Sequence, residues 1–264
     1  MTTIVFVGPT LPASEVSRRL PGATIAPPVA VGDVLRLARR RTPLRIAIVD
    51  GYFERMAAVW HKEILIALER GIAVWGAASM GALRAAELTA FGMVGVGAIF
   101  RDYAAGRLVA DDEVAVAHLP GQFGYRATSD ALVNLRYGIA RAPMLSPRTR
   151  AALVELAIRR FYRERSWDRL VADARGAGLV AAQIDAFATW PKPDRKADDA
   201  RLLLRRLARA SGRTAAWGGL SPFPGRSPRE ALGYTEGLAP LTPGLRVPRT
   251  WALRQLEASL RTTR

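Results

Sequence analysis

Cysteine is absent from the 264 residues of this chain, and histidine occurs only twice, as His61 and His118. Without thiols the chain can form no disulfide, no thiolate metal site, and no persulfide or thioester on its own side chains. Two histidines supply few ligands, so the sequence predicts neither a metal nor a cofactor. No run of about 18 uncharged apolar residues occurs, and no basic stretch precedes the apolar N-terminus. We therefore expect a cytoplasmic protein that makes no contact with a membrane.

Lysine is also scarce: only Lys62, Lys192 and Lys196 occur, and the other members of the 39 basic residues are arginines. Residues 1–142 hold 16 basic and 12 acidic residues (net +4), whereas residues 143–264 hold 23 and 11 (net +12). A concentrated positive face favours acidic partners, although a solvated helical surface has the same composition. The basic half carries no nucleic-acid-binding motif, so we do not expect nucleic acid as a partner.

Apolar segments alternate with helical ones in the first part of the chain. This pattern is typical of an α/β fold, in which a parallel sheet is covered by helices on both faces. We predict a core domain over residues 1–142. Its predicted strands are 4–8, 23–27, 45–50 and 71–77, and its predicted helices begin at Pro12 or span 34–40 and 57–70.

Beyond Gly92 the pattern changes. EVAVAHL and FGYRA predict short strands or a hairpin-like insertion, and a helix is predicted over 129–139. Helical periodicity then predicts a mostly helical, Arg-rich region over residues 143–264. Its predicted helices are 148–162, 167–175, 180–189, 198–210 and 248–260, whereas the Gly- and Pro-rich stretch 212–248 disfavours regular structure.

The most informative stretch is AVWGAASMGALRAAEL, residues 73–88, in which an apolar strand turns sharply into a helix with Ser79 at the corner. Reactive serines at such corners have small residues two positions away on either side, here Ala77 and Gly81. The N–H groups of Met80 and Gly81 at the helix start favour an anion or an oxyanion. The competing interpretation is that Ser79 is simply an N-cap.

Glycine and polar residues follow two other predicted strands. Gly8 and Thr10 come after the first strand, and Asp50 comes after the third. Because ligands bind at the carboxyl edge of open parallel sheets, these residues are candidates for ligand binding beside Ser79. The competing interpretation is that Gly8 only permits a tight turn and has no role in ligand binding.

A helical projection places His61 in the buried stripe of the predicted helix 57–70 and points Lys62 away from it. His61 is then either a general base for Ser79 or a buried histidine with satisfied nitrogens. Glu87 lies on an apolar face of the helix that follows Ser79, and Arg84 stands three residues before it. Glu87 either orients His61 or Arg84 or forms a structural ion pair.

A second candidate set is Ser79, Asp112 and His118, which follow the chain order serine, acid, histidine of one hydrolase class. Asp112 belongs to an acidic triplet, residues 111–113, that could hold a cation but is more typical of a solvated turn. Asn134 and Arg136 are placed with Ser129 on one helix, where they would bind an anion or cap a loop.

Five strings occur in the order VWHKEI, GAASMGALRAAEL, GMVGVG, DDEVAVAH and SDALVNLR, and together they resemble the TfuA-like family. They cover roughly residues 46–136, and the N-terminal GPTLP is similar to that family's opening. The resemblance implies a role beside a YcaO enzyme, which uses ATP to activate a peptide amide for conversion to a thioamide. It further implies that this chain releases sulfide from the thiocarboxylated C-terminus of a ThiS-like sulfur carrier.

On this resemblance Ser79 is the acyl acceptor. His61 or His118 would act as the acid, or Arg84 or Lys62 as the cation, that neutralises the sulfur. The alternative is a non-catalytic adaptor that binds YcaO and recruits the sulfur donor. The peptide substrate is a further candidate partner, and an acidic carrier or leader peptide would suit the basic half of the chain.

Overall fold

The computed structural model of the chain describes residues 2–40, 44–53 and 56–210, and the backbone of two short strands at 238–242 and 245–248. The helix predicted over 248–260 and most of the stretch 212–248 lie outside the described residues. The two short strands pair in antiparallel fashion, so the Gly and Pro content of that stretch did not exclude regular structure.

Five parallel strands form the central sheet in the order β2-β1-β3-β4-β5, which confirms the predicted α/β class. The strands are β1 (Thr2–Phe6), β2 (Thr24–Ala26), β3 (Leu44–Ile48), β4 (Ala73–Ala77) and β5 (Val94–Val96), and the distal pair is β6 (Leu238–Thr242) and β7 (Leu245–Pro248). The strand order reverses between β1 and β3. In open parallel sheets, ligands bind at the carboxyl edge of such a reversal.

Helices cover both faces of the sheet, as predicted. The helices of the core are α1 (Ala13–Arg19), α2 (Asp33–Ala38), α3 (His61–Glu69), α4 (Met80–Leu88) and α5 (Ala98–Ala104). On one face, Ile46, Ile48 and Val74 pack against α2, α3 and α4. On the other face, Ala47 and Val49 belong to a cluster with residues of α1 and of the last long helix. Because successive side chains of a strand point to opposite faces of the sheet, the strands contribute buried residues to both clusters.

The second half of the described chain is helical, as predicted, with α6 (Leu132–Arg141), α7 (Pro147–Arg159), α8 (Trp167–Gly176), α9 (Ala181–Thr189) and α10 (Arg195–Arg209). Helices α6 to α9 share a separate apolar core around Leu135, Leu153 and Phe187. Within the described residues, no helix is long and apolar enough to cross a lipid bilayer.

Helix α10 leaves that helical cluster and returns to the sheet, where Leu203, Leu204 and Leu207 pack against it. Its Asp199 carboxylate accepts the N–H groups of Ala98 and Ile99 and so caps α5, about a hundred residues earlier in the chain. The C-terminal region therefore contributes one layer of the α/β core. The domain division at residue 142 remains a prediction.

The segment between α5 and α6 differs in detail from its prediction. A short 3₁₀ turn, Asp111–Glu113, stands where the strand EVAVAHL was expected to begin. His118 and Ala127 form an isolated antiparallel bridge, which makes the segment hairpin-like without a full strand. Ser129 precedes α6, where its hydroxyl accepts the Ala117 N–H, and does not lie on the helix as predicted. It therefore holds the hairpin in place.

Candidate functional site

The corner between β4 and α4 is strained. The Ser79 N–H donates to the Ala77 carbonyl at 2.8 Å, which closes a three-residue turn around Ala78, whose φ is 67°. A γ-turn of this hand is rare, and a non-glycine residue in this region costs on the order of 1–3 kcal/mol. Backbone strain of this kind clusters at functional sites.

Two glycines allow α4 to start directly against the sheet. A Cβ on Gly81 would lie 1.8 Å from the Ile48 carbonyl oxygen, and one on Gly76 would lie 2.0 Å from the Gly81 carbonyl oxygen. The Gly81 N–H donates to the Val49 carbonyl at 3.3 Å. The prediction that the Gly81 amide is available to an anion is therefore wrong, because this N–H anchors the helix to β3.

The Ser79 hydroxyl does not cap α4. The Ser79 carbonyl accepts the N–H groups of Ala82 and Leu83, but no side-chain capping bond is formed. Instead Oγ donates to the Val114 carbonyl at 3.3 Å. This geometry separates Ser79 from the ordinary capping serines of this chain, Ser146 and Ser166, whose hydroxyls accept the N–H of Thr149 and Arg169.

Ser79 lines a pocket at the carboxyl edge of the sheet, beside the strand reversal. Polar and apolar side chains from five segments form the wall, and Met80 of the corner is among them. The lining residues are Pro9, Asp50, Gly51, Tyr52, Phe53, Ser79, Met80, Leu83, Asp111, Val114, Ala115, Val116, Ala117, His118, Tyr162 and Arg163. The structure thus brings Ser79, Asp50 and His118 to one pocket, and His61 is not among its lining residues.

Gly8 and Thr10 both donate hydrogen bonds to Asp50 at this edge. One carboxylate oxygen of Asp50 accepts the N–H groups of Gly8 and Thr10 at 2.9 and 3.0 Å, and the other accepts the Thr10 hydroxyl at 2.6 Å. The loops after β1 and β3 are therefore pinned together. Both carboxylate oxygens of Asp50 and both donors of Thr10 are engaged within the protein.

Two carboxylates of the acidic triplet 111–113 form ion pairs with different arginines. The Asp112 carboxylate pairs with Arg165 at 2.7 Å, and Glu113 accepts two hydrogen bonds from the Arg136 guanidinium at 3.1 and 2.9 Å. Asp112 is therefore not hydrogen-bonded to His118, and the predicted triad of Ser79, Asp112 and His118 is not assembled. Arg136, predicted as an anion binder, instead anchors the segment that carries Val114.

His118 faces the same pocket as Ser79. Its Nδ1 lies 2.8 Å from the Leu119 carbonyl oxygen, and because that oxygen only accepts, Nδ1 must carry the hydrogen. In the neutral ring Nε2 then has a free lone pair. The rings of Tyr52 and Tyr125 hold the imidazole, at centroid distances of 6.0 and 5.8 Å.

His61 points outward, against the prediction. Its side chain is 47% exposed, and its Nε2 lies 2.8 Å from a Glu87 carboxylate oxygen. Helix α3 begins at His61, and Trp60 before it has an extended backbone, so a projection of 100° per residue does not apply across this boundary. Glu63, Ile64 and Leu65 are buried instead.

Glu87 forms the ion pair that was one of its predicted alternatives. It accepts from Arg84 at 2.7 Å as well as facing His61, and Arg84 Nε donates to the Val59 carbonyl. Arg84 and Glu87 line a shallower neighbouring pocket. Burial raises the pKa of Glu87, but the hydrogen bonds from His61 and Arg84 outweigh it and leave the pKa below its usual range. Lys62, on the same helix as His61, is half-buried and lines neither pocket.

We expect Glu87→Gln to lower the free energy of unfolding at neutral pH by less than about 1 kcal/mol, since the pair is partly exposed. A depressed pKa stabilises the fold above the unfolded-state pKa, and this contribution is lost as the pH falls through the folded-state pKa. Urea unfolding at decreasing pH should therefore show the variant converging on the wild type. Glu155→Gln, on the exposed side of α7, is the control. A difference in the free energy of unfolding between Glu87→Gln and the wild type that persists at pH values below the carboxyl pKa range would contradict the ion-pair assignment of Glu87.

Sequence reasoning did not single out Lys196, which contacts the backbone of the pocket residue Val114. It lies in the first turn of α10, is 3% exposed, and its Nζ donates to the Val114 carbonyl at 2.8 Å. Asn134, predicted to bind an anion or cap a loop, accepts the Lys196 N–H and donates to Asp194, so it holds the start of α10. The sequence signal was weak: Lys196 is one of three lysines in an arginine-rich chain.

Residues 50–166 match the family model for TfuA-like protein. The chain is TfuA-like over this segment. The match supports the assignment made from the five ordered strings and includes Ser79, Asp112 and His118. No curated protein matches the chain. Lys196, which donates to the carbonyl of the pocket residue Val114, comes from a helix beyond the matched residues, whereas Gly8 and Thr10 precede them.

Proposed function

We propose that this TfuA-like chain is an accessory protein of YcaO-dependent thioamide formation. In this role it releases sulfide by hydrolysing the thiocarboxylated C-terminus of a ThiS-like sulfur carrier. The observation that carries the proposal is the Ser79 corner: a strained turn presents a serine that caps nothing to a pocket at the ligand-binding edge of the sheet. The TfuA-like match supports the accessory role in thioamide biosynthesis.

The absence of cysteine supports hydrolysis over covalent sulfur relay. A chain with no thiol cannot carry a persulfide, so sulfur must leave the carrier without passing through a side chain of this protein. An acyl group, by contrast, can pass to a hydroxyl. Ser79 is the hydroxyl that the pocket offers at the strained corner.

The pocket also contains groups that suit an anionic acyl compound. His118 supplies an imidazole whose Nε2 faces no other partner among the described residues, and Arg163 adds a guanidinium to the pocket wall. A thiocarboxylate is a poor electrophile until its sulfur is protonated or paired with a cation. We assign that task to His118, since the outward His61 and Arg84 lie in the neighbouring Glu87 cluster.

The reaction balances without a cofactor. His118 gives a proton to the thiocarboxylate sulfur, Ser79 Oγ attacks the carbon, and the C–S bond breaks, so sulfur leaves as hydrosulfide; the serine proton passes to His118, and an acyl ester remains on Ser79. Water then attacks the ester, which restores the Ser79 hydroxyl and returns the carrier as a carboxylate with one proton released to solvent. The Met80 N–H, at the first position of α4, has no acceptor in the preceding turn of its helix and is assigned to the developing oxyanion.

Sulfide release from a purified, thiocarboxylated ThiS-like carrier tests this function. We expect the wild-type chain to release sulfide and to convert the carrier C-terminus to a carboxylate, seen by mass spectrometry as replacement of sulfur by oxygen. The same carrier incubated alone, and a carrier that already ends in a carboxylate, are the controls. A chain that binds YcaO and the carrier but leaves the thiocarboxylate intact would favour the adaptor alternative and contradict hydrolysis.

A further inference from the structure

Exposed apolar side chains gather around the mouth of the Ser79 pocket. Within the described residues, the large apolar side chains with high exposure are Met56, Val109, Phe123, Ile158, Phe161 and Val180. Val109, Phe123 and Phe161 are 85%, 59% and 53% exposed, and they come from three separate segments. Each of these three residues lies within five positions of a residue of the pocket wall.

Phe161 packs directly on the pocket wall. Its ring centroid is 4.7 Å from that of Tyr162, and the buried Tyr162 ring meets the Phe53 ring edge-on at 5.5 Å. Tyr162 and Phe53 both line the pocket. A row of three aromatic rings therefore runs from the pocket to the surface, and its outermost ring, that of Phe161, is exposed to solvent.

Phe123 belongs to the hairpin-like segment that carries His118. It lies in a 3₁₀ turn, Gly121–Phe123, and a Cβ on Gly121 would lie 2.7 Å from the Tyr125 hydroxyl oxygen. The Tyr125 ring in turn meets the ring of the pocket residue His118 at a centroid distance of 5.8 Å. These contacts hold the turn beside the pocket, while the Phe123 side chain is left exposed.

Val109 extends this apolar surface along a second depression. It lines the shallower neighbouring pocket, which shares with the first pocket the residues Phe53, Met80, Leu83 and Asp111. The mouth is thus elongated, with exposed apolar side chains from three segments beside it. Clustered apolar side chains that stay in contact with water are typical of a protein-binding surface, and aromatic residues contribute most to the binding free energy there.

The same segments carry positive charge. Residues 119–127 hold one charged side chain, Arg126, and residues 158–164 hold three arginines and one glutamate. That glutamate, Glu164, pairs with Arg160 at 3.7 Å. Arg126 and Arg159 are exposed and form no ion pair with another described residue. Since the whole chain has a net charge of +16, this surface favours an acidic partner and disfavours a second copy of the chain.

The burial of Ser79 restricts the form of the partner. Ser79 is 8% exposed, so a compound that reacts with its hydroxyl must reach into the pocket. In the proposed function that compound is the C-terminal tail of a small folded protein. An extended tail advances about 3.3 Å per residue, so a tail of a few residues brings the folded body of the carrier against the mouth.

We propose that Val109, Phe123 and Phe161, together with Arg126 and Arg159, form a docking surface for an acidic face of the folded body of the sulfur carrier. The inference rests on the proposed function for the identity of the tail that enters the pocket. Recognition then has two parts, in which the docking surface supplies affinity for the body and the pocket holds the reacting end. Docking raises the effective concentration of the tail at Ser79.

Binding of a purified ThiS-like carrier that ends in an ordinary carboxylate tests this surface without any chemistry at Ser79. We expect Phe123→Ser and Phe161→Ser each to raise the Kd, measured by isothermal titration calorimetry, about tenfold, because aromatic side chains are typical binding hot spots. Arg126→Gln should raise the Kd about threefold at low salt and less at high salt. Val180→Ser removes a similarly exposed apolar side chain at the start of α9, so it is the matched control and should leave the Kd unchanged.

Sulfide release separates docking from the reaction itself. With the thiocarboxylated carrier, Phe161→Ser should raise KM about tenfold and leave kcat unchanged. With a synthetic peptide that has the same thiocarboxylated C-terminus but no folded body, the variant and the wild type should have equal kcat/KM. A purely structural role of Phe161 would instead lower sulfide release from both compounds.

The proposal is overturned if the wild type does not bind the carrier, if both phenylalanine variants bind it as tightly as the wild type, or if release from the peptide falls together with release from the carrier. It is also overturned if these variants keep the carrier but lose binding of purified YcaO or of a second copy of the chain. Carrier binding that depends on both phenylalanines, without any sulfide release, would retain the docking surface and lose the proposed hydrolysis. Sulfide release with the wild-type KM in both variants would do the reverse.

Discussion

Ser79→Ala is expected to lower sulfide release from a thiocarboxylated carrier by roughly 10³-fold or more, because removal of a nucleophile in a covalent mechanism eliminates the attacking atom. The hydroxyl makes one hydrogen bond, to the Val114 carbonyl, and no capping bond to α4. Its loss should therefore cost only about 1 kcal/mol of stability. Single-turnover sulfide release and thermal unfolding measure the two quantities.

Ser166→Ala is the matched control, since Ser166 is an N-cap whose hydroxyl accepts the Arg169 N–H at 3.1 Å. It should cost about 1 kcal/mol of stability through the lost cap and leave sulfide release unchanged. If Ser79→Ala instead releases sulfide at the normal rate, Ser79 does not attack the acyl carbon. The pocket would then activate water or bind an anion.

Gly81→Ala is expected to destabilise the fold by about 3 kcal/mol or more, because a methyl group inserted against rigid backbone forces a shift of whole elements. Its Cβ would lie 1.8 Å from the Ile48 carbonyl oxygen and 2.6 Å from the Ile48 carbonyl carbon, far inside contact distance. Neither atom belongs to a flexible side chain. Urea unfolding monitored by circular dichroism, together with the soluble yield, should reveal the loss.

Gly176→Ala at the end of α8 is the control for this prediction. Nothing lies within 4 Å of its built Cβ. Alanine in a helix is favoured over glycine by up to about 1 kcal/mol, so we expect an unchanged or slightly more stable protein. Equal stability of the Gly81→Ala and Gly176→Ala proteins would mean that α4 does not start against β3 as the structure places it.

The fold and the Ser79 corner were predictable because both depend on local patterns. Apolar runs separated by helical periodicity specified the parallel sheet, and small residues on either side of Ser79 specified the sharp turn. The helix bounds were less accurate. α3 begins four residues later than predicted, and that difference alone moved His61 from the buried stripe to the surface.

The partners of the polar side chains were not predictable in the same way. Asp112 and Asp50 were both predicted to be site residues. In the structure Asp112 pairs with Arg165, and Asp50 fixes the loop around Thr10 by accepting the Thr10 hydroxyl. Arg165 lies on a different part of the chain, and pairing across that separation depends on how the helices pack. Composition also overstated the free positive charge, since Arg165, Arg195 and Arg201 form ion pairs within the protein.

The sequence by itself determined the class of fold, the TfuA-like segment and the position of Ser79 at a strand-to-helix corner, since each depends on residues close together in the chain. Only the tertiary structure decided which groups surround that hydroxyl. Lys196 comes from α10, far beyond the matched residues, and meets Ser79 at the Val114 carbonyl because α10 packs back onto the sheet. Long-range packing of this kind leaves no periodic signal in the sequence, and it determines which groups lie beside the serine.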